Sequence, residues 1–195
     1  MPDAIPFSVF ALAQERLYPA APPPDAALVR VAEAGGAWKV AGKEVPAPSG
    51  ASPYRVVQAG ARTLDPPGPG SQGVTLVAGR FYTAALQADG AIRLFEDPPR
   101  EDLAKATLRL YNLSAAAAPE LRTADGKLTV VGAVAQDAMG SRAVNPVSAA
   151  LAVYVDGAVI ASFPATKLAA GASYSVFVYG APGALRAVWV EDGAE

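Results

Sequence analysis

Ser141, set in Met139-Gly140-Ser141-Arg142, is the first residue to weigh as a nucleophile, because acyl transfer needs a hydroxyl with a base beside it. It lacks the G-x-S-x-G spacing of a nucleophile elbow, and the chain has no histidine to act as that base. Cysteine is absent too, so disulfides, thiolate catalysis and the usual zinc and non-haem iron ligand sets fall away. An enzymatic reading would need a carboxylate pair or a Ser-Lys arrangement assembled from distant loops. Gly36, Gly42 and Lys43 imitate a phosphate loop, but five residues separate the glycines where four are required, and Glu44 stands where Ser or Thr would hold magnesium. Asp89, Asp125 and Asp156 each precede Gly, which turn chemistry explains. No metal and no cofactor is expected.

Recognition chemistry is better represented. Ser141-Arg142-Ala143-Val144-Asn145-Pro146 sets Arg beside Asn where a loop over 135–143 leads into a hairpin, and that pair suits a carboxylated sugar or an acidic partner surface. A structural account competes with it: Pro146 restricts Asn145, and the stem of Arg142 covers apolar surface. Asn112-Leu113-Ser114 satisfies the glycosylation pattern, yet its place at a strand end makes Asn112 a cap or turn residue. Trp38, Tyr54 and Trp189 are candidate stacking platforms for a sugar, with Trp189 alternatively sealing a sheet edge. Arg30 and Arg109 each lie between apolar residues in opening strands, which favours a shared structural role. Glu96 and Asp97, beside Arg100, Glu101 and Asp102, read as a solvated linker.

The elements that must position these residues are strands. Eighteen Pro and eighteen Gly in 195 residues argue against long helices, since Pro removes a donor and clashes inside them. Leu76-Val77-Ala78-Gly79-Arg80-Phe81-Tyr82-Thr83 returns as Leu168-Ala169-Ala170-Gly171-Ala172-Ser173-Tyr174-Ser175, and Leu28-Val29-Arg30-Val31 and Leu108-Arg109-Leu110-Tyr111 precede the two copies in the same order. Such self-similarity predicts two related modules in series. Asp-Gly pairs at 89–90, 125–126 and 156–157 predict hairpins. The expected fold is all-β, two tandem small antiparallel β-sandwiches of Ig-like or jelly-roll-like kind. Residues 1–26 form an apolar leader stub and Pro-rich arm, 27–97 the first module, 98–105 a linker and 106–191 the second module. The leader is either a disordered remnant or the stub of a secretory signal, and no later stretch approaches a membrane span. A formal charge of -2, evenly spread, gives no positive field for nucleic acid.

Leu17-Tyr18, Ala21-Pro22-Pro23, Ala27-Leu28-Val29-Arg30-Val31, Gly79-Arg80-Phe81-Tyr82-Thr83, Leu110-Tyr111-Asn112-Leu113, Leu121-Arg122-Thr123-Ala124-Asp125-Gly126-Lys127 and the words from Ser141 to Pro146 together resemble the alginate O-acetylation AlgF family over residues 17–190. The second half is also similar to sandwich repeats of extracellular bacterial proteins. The resemblance implies a non-catalytic periplasmic accessory protein of exopolysaccharide acetylation. It would be an adaptor between a membrane-bound acyltransferase and periplasmic SGNH-like acetyltransferases, on alginate or, in related systems, cellulose. Tyr111, Asn112, Ser141, Arg142 and Asn145 match the family's words, and the resemblance assigns them no catalytic role. The alternative is a carbohydrate-binding module that holds the polysaccharide itself.

Overall fold

In a computed structural model of the chain, the described residues are 22–32, 36–46, 50–87, 90–115 and 118–193. The expected leader stub and most of the Pro-rich arm lie outside them, as do Asp89 and part of the alanine run at 115–118. The described residues form sixteen strands and no helix.

The first eight strands are β1 (Ala26–Val31), β2 (Trp38–Val40), β3 (Lys43–Val45), β4 (Arg55–Gln58), β5 (Gly60–Asp65), β6 (Gln72–Leu76), β7 (Phe81–Leu86) and β8 (Ile92–Asp97). They make two sheets, ordered β4-β1-β7-β8 and β3-β2-β5-β6. The next eight are β9 (Ala106–Ser114), β10 (Glu120–Thr123), β11 (Thr129–Val131), β12 (Met139–Val144), β13 (Val147–Val155), β14 (Ala158–Leu168), β15 (Ser173–Gly180) and β16 (Arg186–Glu191). Their sheets are ordered β12-β9-β15-β16 and β11-β10-β13-β14. Adding eight to each strand number converts the first pair of sheets into the second, so the repeated phrase marks a repeated topology. The chain is all-β, built of two sandwich modules. Each module also carries one parallel pair at the centre of a sheet, β1 with β7 and β9 with β15.

The registers realign the two copies by one residue. Arg30 stands beside Thr83 and Arg109 beside Ser175, so Arg30 is equivalent to Arg109 and Val29 to Leu108. Matching Leu28 with Leu108, as the sequence invites, would put equivalent side chains on opposite faces, because strand period is two.

Each sandwich has its own core. Val29, Val31, Trp38, Val40, Leu64 and Tyr82 fill the first, and Leu108, Leu110, Leu121, Leu151, Val176 and Val178 the second. A third core joins them: Ala32, Ala51, Ala85 and Phe95 of the first module pack on Tyr111, Phe177 and Tyr179 of the second. The sheets β4-β1-β7-β8 and β12-β9-β15-β16 are therefore the inner layers of a four-sheet stack. This explains why all six residues of β1 are buried, since a strand covered on both faces loses the polar alternation. The modules approach closely at Gly50. A Cβ there would lie 2.6 Å from Val188, and the Gly50 carbonyl accepts the Tyr179 hydroxyl at 2.7 Å.

Tight turns carry the hairpins. Ala41 and Gly42, with φ of 49° and 78°, join β2 to β3, and Asp156 and Gly157, with φ of 50° and 78°, join β13 to β14, the signs that type I′ requires. The expected loop at 135–143 is corrected: residues 139–144 are β12, paired with β9. Ser141, Arg142 and Ala143 are all exposed along it, so β12 has no apolar alternation by which a strand is read.

Candidate functional site

The parallel registers set Arg30 beside Thr83 and Arg109 beside Ser175 on the faces that look into the shared core. Asp97 stands opposite Phe81 at the end of β8. Asp192, just past β16, donates its amide to the carbonyl of Ser173 at 2.8 Å, and Ser173 holds the place of Phe81 in the repeat. Duplication therefore brings two copies of one set, an arginine, a hydroxyl and an aspartate, face to face across the module boundary.

The set closes into one network. Arg30, with no exposed surface, donates from Nε to Thr83 Oγ1 (2.8 Å), from Nη1 to Asp192 Oδ1 (2.5 Å), and from Nη2 to Ser175 Oγ (2.8 Å) and the Tyr111 hydroxyl (3.0 Å). Arg109 Nη1 donates to Asp192 Oδ2 at 2.8 Å, and its Nη2 to the carbonyl of Pro98 at 2.9 Å. Asp97 accepts three hydroxyls, from Tyr54 (2.7 Å), Thr83 (2.6 Å) and Tyr111 (2.5 Å). Two cations and two carboxylates cancel, so burial is tolerated only because each charge meets a partner. The rings of Tyr54 and Phe177 lie 4.5 Å and 5.2 Å from the Arg30 guanidinium carbon, and Tyr111 stacks on Phe177 at 4.6 Å.

The electrostatics favour holding over reacting. Burial pushes the phenols of Tyr111 and Tyr54 well above their usual range, against the opposing pull of Arg30 and with the help of Asp97. Burial works against the charge of Arg30, but the phenols of Tyr111 and Tyr54, with Asp192 and Asp97, outweigh it and push that guanidinium up. Both phenols thus stay neutral donors, and Arg30 stays a fixed cation.

Sequence-based candidates divide between this network and a distant edge. Tyr111 and Tyr54 meet on Asp97, but they are 0% and 4% exposed, so neither is a surface contact. The stacking role for Tyr54 is corrected: its ring is occupied by Arg30. Trp38 is also corrected as a platform, because it is 0% exposed in the first core. Trp189 is half-buried between Phe163 and Tyr174, with centroids 5.5 Å and 5.4 Å away, where it closes the second sandwich. Asn112 is buried and clamps its own module, donating from Nδ2 to the Val134 carbonyl at 3.0 Å and accepting the Ser114 hydroxyl at 2.7 Å. Ser141, Arg142 and Asn145 remain exposed together along β12 and its exit turn. Arg142 Nη1 donates to the carbonyls of Thr129 and Val130 at 3.1 Å and 3.3 Å, tying an inner sheet to an outer one.

Sequence reasoning passed over Thr83, Ser173, Ser175 and Asp192, and its reading of Asp97 as part of a solvated linker is corrected, since Asp97 is 2% exposed. Arginine inside an apolar strand run was the available signal, since a buried guanidinium demands carboxylate partners. Asp97 and Asp192 carry no such mark, because each sits in a charged stretch that reads as solvated. A cavity of about 170 Å³ opens beside the network, between Tyr54, Phe81 and Pro98 on one side and Arg109, Ser173 and Asp192 on the other.

Known proteins place this architecture among relatives. A family model described as "Alginate O-acetyl transferase AlgF" matches residues 4–175. The alginate biosynthesis protein AlgF of Pseudomonas fluorescens is 35% identical over 118 residues, 60% of this chain and 54% of that protein. Its counterpart in Pseudomonas aeruginosa PAO1 is 34% identical over 145 residues, 74% of this chain and 66% of that one. The matched region thus spans about half to two thirds of the length of these curated relatives. A solved structure of the C-terminal domain of AlgF from P. aeruginosa is 36% identical, covering 45% of this chain and 98% of that one, with a TM-score of 0.42.

Proposed function

This chain belongs to the AlgF family of alginate biosynthesis and O-acetylation, and from that premise we propose that it is a non-catalytic periplasmic adaptor, holding acetyl-transfer proteins in fixed relation while an exopolysaccharide such as alginate is modified. Its partners in this reading are the periplasmic SGNH-like acetyltransferases and the membrane-bound acyltransferase of the system. The family description contains the word transferase, whereas the curated relatives are called biosynthesis proteins. Chain composition favours the second usage, since a sequence without histidine or cysteine lacks the usual general base of serine acyl transfer and the thiol nucleophile that could replace the serine.

One observation carries the reading: the buried network of Arg30, Asp97, Arg109 and Asp192 welds two sandwiches into one body. A rigid body suits an adaptor, because a partner bound to one module is then held at a set distance from a partner bound to the other. Loss of Trp38 and Tyr54 to the interior removes two of the three stacking platforms that the carbohydrate-binding alternative required. Ser141 and Arg142 on the exposed edge strand β12, with Asn145 in its exit turn, are the contact surface assigned to a partner.

The test is co-elution of the purified chain with each purified periplasmic acetyltransferase, alongside tryptophan fluorescence during addition of polyuronate and cellulose oligomers. An adaptor forms the protein complex and leaves fluorescence unchanged by sugar. Saturable quenching by oligomers with no protein complex would overturn the reading in favour of a carbohydrate-binding module.

A further inference from the structure

The cavity beside the network has donors that nothing among the described residues satisfies. Arg109 uses Nη1 on Asp192 and Nη2 on the Pro98 carbonyl, which leaves its buried Nε without an acceptor. The Ser173 hydroxyl, also buried, has no partner among the described residues either. Both side chains belong to the cavity lining, and both residues are 4% exposed. Ser173 lies two residues before Ser175, the register partner of Arg109, so strand alternation puts it on the same face as that arginine. Buried N–H and O–H groups are nearly always paired in folded proteins, and two orphans lining one cavity point to a missing acceptor.

We propose that this cavity binds a single small carboxylate, R–COO⁻, at Arg109 Nε and Ser173 Oγ. Two unpartnered donors lining one cavity match in number the two oxygens of a carboxylate. Arg100, on the rim, adds positive charge, and its Nη1 is anchored to the Gly171 carbonyl at 2.5 Å. Asp192 also lines the cavity, but its charge is already met by Arg30 and Arg109, so Arg100 leaves the local balance positive. The ring of Phe81 with Pro98 and Pro99 supplies an apolar wall for a short R group. A volume of about 170 Å³ equals roughly six waters, which admits acetate or the end of an acidic side chain.

The site stands apart from the adaptor reading, because its test uses the chain alone. Backbone amide shifts in NMR would be followed during addition of sodium acetate, and separately of a blocked glutamate (N-acetyl-glutamate amide), against sodium chloride at equal ionic strength. Saturable shifts at Ser173 and Arg109 are expected, with affinity reduced at least fivefold in Ser173→Ala and in Arg100→Gln. The latter lies outside the buried network and tests the site even if Ser173→Ala perturbs folding. Tighter binding of acetate identifies a free metabolite as the source, and tighter binding of the blocked glutamate identifies a side chain of a partner. Shifts that do not saturate, that chloride reproduces, or that survive both substitutions at full affinity would overturn the proposal.

Discussion

Replacing Arg30 by Met removes a guanidinium that has no solvent exposure and four hydrogen bonds, to Thr83, Asp192, Tyr111 and Ser175. The hydroxyls can rotate to other partners, so the main loss falls on the carboxylates. Asp192 keeps Arg109 at 2.8 Å and the Ser175 hydroxyl at 3.0 Å, but the network passes from neutral to one net negative charge. Breaking a buried ion pair by removing one partner costs about 3–5 kcal/mol, and the surviving Arg109 contact places Arg30→Met near the lower end, about 3 kcal/mol. For a body of this size each kcal/mol moves the melting midpoint by about 2–4 °C, so a fall of about 6–12 °C is expected in thermal unfolding followed by circular dichroism. Arg80→Met is the control. Its partner Glu96 lies at 3.0 Å with both side chains about half exposed, 53% and 51%, and exposed pairs contribute at most about 1 kcal/mol. Adding Asp192→Asn to Arg30→Met removes the excess charge and should recover part of the loss. If Arg30→Met melts within about 2 °C of the parent, or if the two substitutions are simply additive, the weld is not electrostatic.

Other consequences follow from single features. Tyr54 and Tyr111 are held above their usual range in the fold, so the folded state keeps protons that the unfolded state releases above pH about 10. Their contribution is complete below that pH and is lost as pH rises further, by about 1.4 kcal/mol per unit for each phenol. Denaturant midpoints measured across alkaline pH should therefore fall less steeply in Tyr111→Phe. Gly180→Ala should lose about 2–4 kcal/mol, because its φ is 101° and a Cβ would lie 2.3 Å from the Ala184 carbonyl oxygen. Gly132→Ala, with nothing within 4 Å, should stay within about 0.5 kcal/mol, and urea titration compares the two. Arg142→Ala removes an exposed bond to the Thr129 carbonyl and a part-buried one to the Val130 carbonyl and should cost about 1 kcal/mol. Under the adaptor reading it still abolishes co-elution with the partner that contacts β12, and unchanged co-elution would release that strand from the role.

Much of the fold was legible because the apolar strands and their turns obey local rules. Asp156-Gly157 between alternating runs specified a hairpin, and the twice-occurring phrase specified a duplication that the strand orders bear out. β3, β5 and β12 were not legible. Lys43 and Glu44 are exposed, β5 buries only Leu64, and β12 exposes its central residues, so none presents an apolar period. The site was half legible. Arginines flanked by valine and leucine indicated a shared structural role, but their partners are set by a register that only the parallel pairs β1 with β7 and β9 with β15 reveal. Asp192 is 162 residues from Arg30 in the chain, and no local pattern connects them. The aromatic platforms failed for a related reason: an aromatic in a short strand-like run reads the same whether its ring meets water or, as at Tyr54, a buried guanidinium 4.5 Å away.

Each module contains one tryptophan, Trp38 in the first and Trp189 in the second, which makes the unity of the body directly measurable. Equilibrium unfolding of Trp189→Phe and of Trp38→Phe compares the emission of the remaining indole with far-ultraviolet circular dichroism of the whole chain. Modules welded through Arg30 and Asp192 predict coincident curves in both proteins, as an all-or-none transition requires. An emission curve displaced from the dichroism curve in either protein would show the sandwiches unfolding separately, and would contradict the account.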